Sequence, residues 1–197
     1  MNKKKQIIQN IAELFYEKGY EKTTIRDISR SSNISKPGLY YHFENKQEML
    51  FAIIDDFMTT VLTNLKENIG LIKSPQEKLL FIIQSHIRFF VKYPAQTKVV
   101  IYEVHSLEGD YVVRFKKKQV EYIKIIKNIL KEIIKDTDTK IDIHVSTFCL
   151  IGMLNWIVQW YKPEGKVSPE SLAREIWVLL LSGLSGDPSL LSRNIEE

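Results

Sequence analysis

From Ile7 into the C-terminal third, apolar side chains recur every three or four positions, and the strict alternation that marks a strand is nearly absent. That spacing predicts an all-α fold. Ile7, Ile8, Ile11, Leu14 and Phe15 share one face of a first helix that should stop near Gly19. Thr24-Ile25-Arg26-Asp27 has the form of a capping box, so a short second helix is expected over residues 24 to 31. Ser31-Ser32-Asn33-Ile34 reads as a tight turn, because Asn tolerates a left-handed backbone. Ser35 then caps a third short helix with Pro37 in its first turn, where the missing N–H costs little. Asn45 and Glu48 begin a fourth, whose apolar positions run through Leu50, Ile53, Ile54, Phe57, Val61 and Leu65 to a stop at Gly70. Ser74-Pro75, Thr139 with Asp142, and Ser168-Pro169 are further starts; Tyr93-Pro94, Gly109 and Pro163-Glu164-Gly165 are stops. They divide the remainder into helices near 75–92, 95–107, 110–135, 139–161 and 169–184, about nine helices in total.

With 44% hydrophobic residues in 197, the chain has enough apolar material for a real core and does not have the composition of a disordered one. The longest apolar run, Phe148 to Val158, is interrupted by Asn155 and falls short of a membrane span. Lys3-Lys4-Lys5 leads into an amphipathic helix rather than a signal-peptide core, so a soluble, cytoplasmic protein without a membrane partner is expected. The single cysteine, Cys149, excludes an internal disulfide and fits a reducing compartment. Charge is unevenly placed. Residues 1 to 46 carry nine Lys and Arg against five Asp and Glu, whereas residues 47 to 197 carry nineteen of each. A basic end on a neutral body points to a polyanion at that end, nucleic acid before membrane.

The basic end also has the right shape. On two short helices joined by a turn, Ile25, Ile28, Ile34, Leu39 and Phe43 form one buried seam, which leaves Arg26, Lys36, Gly38, Tyr40, Tyr41 and His42 on or near the other face. This matches a helix-turn-helix whose second helix enters the major groove. Arg26 and Lys36 reach phosphates or guanine edges, Gly38 allows backbone and DNA to approach closely, and the Tyr hydroxyls bond phosphate oxygens. Thr24 and the N-terminus of the second helix offer donors to another phosphate. Which of the two tyrosines packs and which touches phosphate stays open.

Gly19-Tyr20, Thr23-Thr24, Ile25-Arg26-Asp27-Ile28, Ser35-Lys36-Pro37-Gly38-Leu39-Tyr40-Tyr41-His42-Phe43, Asn45-Lys46 and Leu50 together resemble the N-terminal domain of the tetracycline-repressor (TetR) family over residues 7 to 65. One departure is Ser31-Ser32-Asn33, where that family favours Ala-Ala-Gly. The resemblance implies a helix-turn-helix domain over 1–65 with its motif at about 24–43, and a larger helical ligand-binding and dimerisation domain over 66–197. It implies a DNA-facing set of Thr24, Arg26, Ser35, Lys36, Gly38, Tyr40, Tyr41, His42 and Lys46 on a palindromic operator in double-stranded DNA. The function implied is a homodimeric transcriptional repressor released by a small-molecule effector.

Residues 139–161 and 172–184 are apolar nearly all round, which predicts burial on every side. In that family the last two helices pair with their copies, and Gly152, Trp160, Trp177, Leu180 and Leu184 are the expected dimer contacts. Asn155 to Gly165, with Ser168-Pro169-Glu170, resembles the branch of fatty-acid- and steroid-degradation regulators, whose ligands are acyl-coenzyme A thioesters. An acyl chain needs an apolar tunnel and coenzyme A needs cations at its mouth. Phe57, Phe89, Phe90, Tyr102, Phe115, Tyr122, Phe148 and Trp156 are candidates for the first; Arg88, Arg114 and Lys116-Lys117-Lys118 for the second. The same residues also read as ordinary core aromatics and a solvated lysine face. A sensor of aromatic or cationic drugs controlling efflux is the rival within the class, and a ligand-binding protein or enzyme with an idle N-terminal domain the rival outside it. His86, His105 and His144 are scattered and no metal-ligand or nucleophile spacing occurs, so neither catalysis, metal nor cofactor is expected.

Overall fold

The computed structural model describes residues 3–135, 137 and 140–184. Among them run α1 (Lys3–Lys18), α2 (Ile25–Ser31), α3 (Lys36–His42), α4 (Lys46–Ile69), α5 (Pro75–Lys92), α6 (Pro94–Tyr102), α7 (Gly109–Ile134), α8 (Ile143–Trp160) and α9 (Pro169–Leu184), with a 3₁₀ turn at Val104–Ser106. The described residues contain no strand. Each helix starts where local chemistry satisfies its first free N–H groups. Asn45 Oδ1 accepts from the Glu48 amide at 2.8 Å to start α4, and Asp142 Oδ1 accepts from the amides of His144 and Val145 at 2.6 and 3.1 Å to start α8. Gly19, at φ 80, turns the chain out of α1.

Two helix boundaries differ from the sequence expectation. The helix expected over 95–107 ends at Tyr102, where Glu103 has ψ −2 and its carboxylate accepts from the Tyr20 amide at 3.2 Å, a bond to the far end of α1 that no local pattern announces. The helix expected from 139 begins at Ile143, because Asp142 is the cap. Thr139, the other residue of that expected start, lies outside the described residues. The apolar run is also longer than the sequence suggested: α8 is an 18-residue helix of mean hydropathy 1.3, long and apolar enough by composition to cross a membrane. Only 28% of it is buried, so most of that apolar surface is outside its own unit's core.

The chain forms two compact units, residues 1–63 with 89–120, and residues 64–88 with 121–197. The division falls inside α4, α5 and α7, whereas the expected boundary at 65/66 follows the order of the chain. In the first unit α1 packs on α6 and α2, and α2 on α3. Ile11, Ala12, Ile28, Leu39, Met49, Leu50, Ile53 and Ile54 are fully buried there. In the second unit Leu79, Ile83, Ile126, Leu130, Leu150, Leu154 and Ala173 are the buried centre. Its helices are tied by Lys66 to Glu121 at 2.6 Å, Lys78 to Glu132 at 3.1 Å, and the Trp177 indole donating to the Gln76 carbonyl at 2.8 Å.

Candidate nucleic-acid interface

The helix-turn-helix is assembled from caps inward. At α2 the Asp27 amide donates to Thr24 Oγ1 at 3.2 Å, and the Thr24 amide and hydroxyl donate to Asp27 Oδ2 at 3.0 and 2.7 Å. Those two Thr24 donors hold the Asp27 carboxyl down to about 2, and Lys18 at 3.3 Å adds to the effect. At α3 the Gly38 amide donates to Ser35 Oγ at 3.2 Å. Between the helices Asn33 takes φ 50, the left-handed turn, and the Ser29 hydroxyl ties the loop by donating to the Ile34 carbonyl at 2.6 Å.

The seven-residue α3 is too short to be stable by itself, so its packing decides its orientation. Leu39 is wholly buried and Phe43 only 1% exposed, while Tyr40 is 50% and Tyr41 85% exposed. Both tyrosines therefore face outward, Tyr41 most of all. Lys36 stands one turn before Tyr40 and is exposed, and His42, half-buried, meets Tyr41 edge-on at 5.1 Å. Arg26 and Thr24 are exposed on α2 and its cap.

Gly38 has a different job from the expected one. A Cβ there would lie 2.7 Å from Ile34 Cγ2, so the small residue is required by the turn's own packing, whatever approaches from outside. Lys46 is already engaged: its Nζ lies 4.2 Å over the Tyr20 ring and donates to the Glu21 carbonyl at 3.3 Å. Sequence reasoning left Lys4 out of the set. Its Nζ lies 5.2 Å over the Phe43 ring at the end of α3, with Lys3 and Lys5 exposed beside it, and the lysine triplet was the signal for it.

The other expected sites divide between the units. In the first, Phe57 and Phe89 meet edge to face at 6.1 Å, Phe90 and Phe115 are buried, Tyr102 is partly exposed, and the Arg114 guanidinium lies 4.2 Å over Phe51. Lys118 bonds Asp55 at 2.6 Å. In the second, Arg88 lines a polar surface cavity of about 190 Å³ with Gln84, Pro169 and Glu170, and Tyr122 meets His86. Phe148 and Trp156 lie on the outer face of α8, 46% and 64% exposed, rather than in the interior. Of the expected dimer contacts, Trp160 is exposed and a Cβ on Gly152 would meet nothing within 4 Å, Trp177 and Leu180 are half-buried, and Leu184 belongs to its own unit's core. No group of three His, Cys, Asp or Glu able to hold a metal occurs among the described residues.

Two family models match the chain: bacterial regulatory proteins of the tetR family over residues 7–53, and the tetracyclin repressor-like C-terminal domain over residues 73–184. The chain is 27% identical to the HTH-type transcriptional repressor KstR2 of Mycolicibacterium smegmatis, over 93% of this chain and 91% of that one. It shares the fold of AibR solved with isovaleryl coenzyme A and operator DNA, at TM-score 0.84 and 24% identity over 91% of this chain and 98% of that one. It likewise shares the fold of FadR from Bacillus subtilis solved with stearoyl-CoA, at TM-score 0.77 and 21% identity over 91% and 98%. A capped helix-turn-helix with basic and aromatic side chains facing out, joined to a helical C-terminal part that the second model covers, leaves one assignment: the chain belongs to the TetR family and is a DNA-binding transcriptional regulator.

Proposed function

We propose that two copies of this chain bind a palindromic operator through Lys36, Tyr40 and Tyr41 of α3, with Arg26 and Thr24 of α2 on flanking phosphates, and that an acyl thioester bound in the C-terminal part releases them. The carrying observation is the split of α3 into a buried edge, Leu39 and Phe43, and an exposed edge that bears only Lys36, Tyr40 and Tyr41 as large side chains. A basic first quarter on a neutral remainder supports a polyanion at that edge.

A second copy is supported by α8 and α9. Val145, Phe148, Met153, Trp156 and Trp160 form an exposed apolar stripe on α8, and Val178 and Leu179 extend the exposed apolar surface on α9. A surface that apolar on a soluble regulator needs a cover, and a twofold copy of the same stripes provides it while giving the short α3 a second half-site. The acyl thioester is supported by the kinship with KstR2 and by the isovaleryl- and stearoyl-coenzyme A complexes of AibR and FadR. Release follows only if ligand prefers a dimer conformation that fits the operator poorly.

Anisotropy titration of a labelled upstream duplex tests the DNA half. Lys36→Ala together with Tyr41→Ala should weaken specific binding by about tenfold or more, since base and phosphate contacts are worth about 1–3 kcal/mol each. Unchanged binding would remove α3 as the reading helix. Calorimetry with acyl-coenzyme A thioesters of increasing chain length tests the other half, and no binding at any length would remove it.

A further inference from the structure

The second unit holds a polar pair inside an otherwise apolar packing. His86 of α5 and Tyr122 of α7 meet with 3.2 Å between Nδ1 and the hydroxyl oxygen. His86 follows Ile82 and Ile83 by a turn, and Tyr122 precedes Ile126 by one; all three isoleucines are buried. Both polar residues therefore stand on core-facing stripes. The Nε2 atom of His86 is sealed from solvent and makes no hydrogen bond, and the same holds for Asn64 Oδ1 on α4. The Lys66–Glu121 ion pair at 2.6 Å brings that end of α4 against α7 next to Tyr122.

The protonation of the pair follows from its surroundings. Burial pulls the His86 imidazole down to about 4, with a backbone group of Leu154 on α8 opposing, so the ring is neutral near pH 7. Burial raises the Tyr122 hydroxyl far above its ordinary range, so it stays protonated. When Tyr122 donates to Nδ1, the neutral ring carries its proton on Nε2 and presents a donor. Buried polar atoms almost always find partners. A donor and an amide on neighbouring helices call for an occupant that is mostly apolar but carries a carbonyl.

We infer that His86, oriented by Tyr122, donates from Nε2 to the thioester carbonyl oxygen of the acyl ligand, with Asn64 as a second polar contact. Tyr122 is a positioning residue, acting through the imidazole. The inference rests on the acyl-thioester reading above and assigns its polar anchor.

The test compares, on the full-length protein, an acyl-coenzyme A with the S-alkyl-coenzyme A thioether of equal chain length, which lacks only the carbonyl oxygen. Wild type should bind the thioester about tenfold more tightly, since leaving a buried donor unpaired is costly. His86→Leu should bring that ratio close to one, His86→Gln should restore part of it, and Tyr122→Phe should lower it. Tyr122→Phe removes a single oxygen, so it decides the matter even if His86→Leu does not fold. A wild-type ratio near one would mean that a buried water serves Nε2, overturning this inference while leaving the ligand class intact. A ratio that persists in the variants overturns it equally. Binding of neither compound by wild type removes the ligand reading and this inference with it.

Discussion

The four adjacent rings of residues 40 to 43 show how much one residue can say. Periodicity alone assigns Leu39 and Phe43 to the core, because they lie four apart, and both are buried. It could not rank Tyr40 against Tyr41, since the depth of a side chain depends on what lies across from it; in the structure both face out. His86 was unremarkable in the sequence, one of four histidines with no spacing pattern. Its environment makes it a pH reporter. Because its folded value, about 4, lies below the ordinary 6.5, the unfolded chain binds the proton more readily. Stability is then whole above pH 6.5 and falls as the pH drops from 6.5 toward 4, by on the order of 3 kcal/mol in total. Thermal unfolding followed across that window should show the decline in wild type and a flatter profile in His86→Leu. A His86 imidazole that titrates near 6.5 by NMR would contradict it.

Helix starts were legible because a cap involves residues within one turn of each other. Thr24 with Asp27, Ser35 with Gly38 and Asn45 with Glu48 all act over three residues, and each is realised. The end of α6 was not legible, because Glu103 is drawn to Tyr20 across 83 residues. Apolar periodicity also misjudged α8: a helix rich in apolar residues on all sides was read as buried on all sides, but its outer stripe is exposed. The α2–α3 element makes its own prediction through Gly38. Gly38→Ala places a methyl 2.7 Å from Ile34 Cγ2 and should destabilise the protein by about 1–3 kcal/mol as overpacking, measured by denaturant unfolding. Ile34→Val in the same background, which can remove the clashing methyl, should recover part of that loss.

For the whole molecule, the exposed stripe of α8 connects packing to function. Trp156 is 64% exposed and central to the stripe, so Trp156→Glu leaves the unit's core untouched while setting a charge into any twofold contact. Sedimentation equilibrium should then show monomer where wild type is dimeric, and operator affinity should fall because each α3 must bind alone. A Trp156→Glu dimer of wild-type stability would place the interface elsewhere. Local chemistry alone determined the all-helical class, the caps, the left-handed turn at Asn33, the basic first quarter and the reading helix, because each is set by residues close together in the chain. Only the tertiary structure decided that residues 89–120 join the first unit, through bonds such as Gln47 to the Ser106 carbonyl across 59 residues. It alone brought His86 to Tyr122, 36 residues apart. Such pairings carry no periodic trace, because the energy that selects them comes from burial and hydrogen bonding between segments that never meet until the chain has folded.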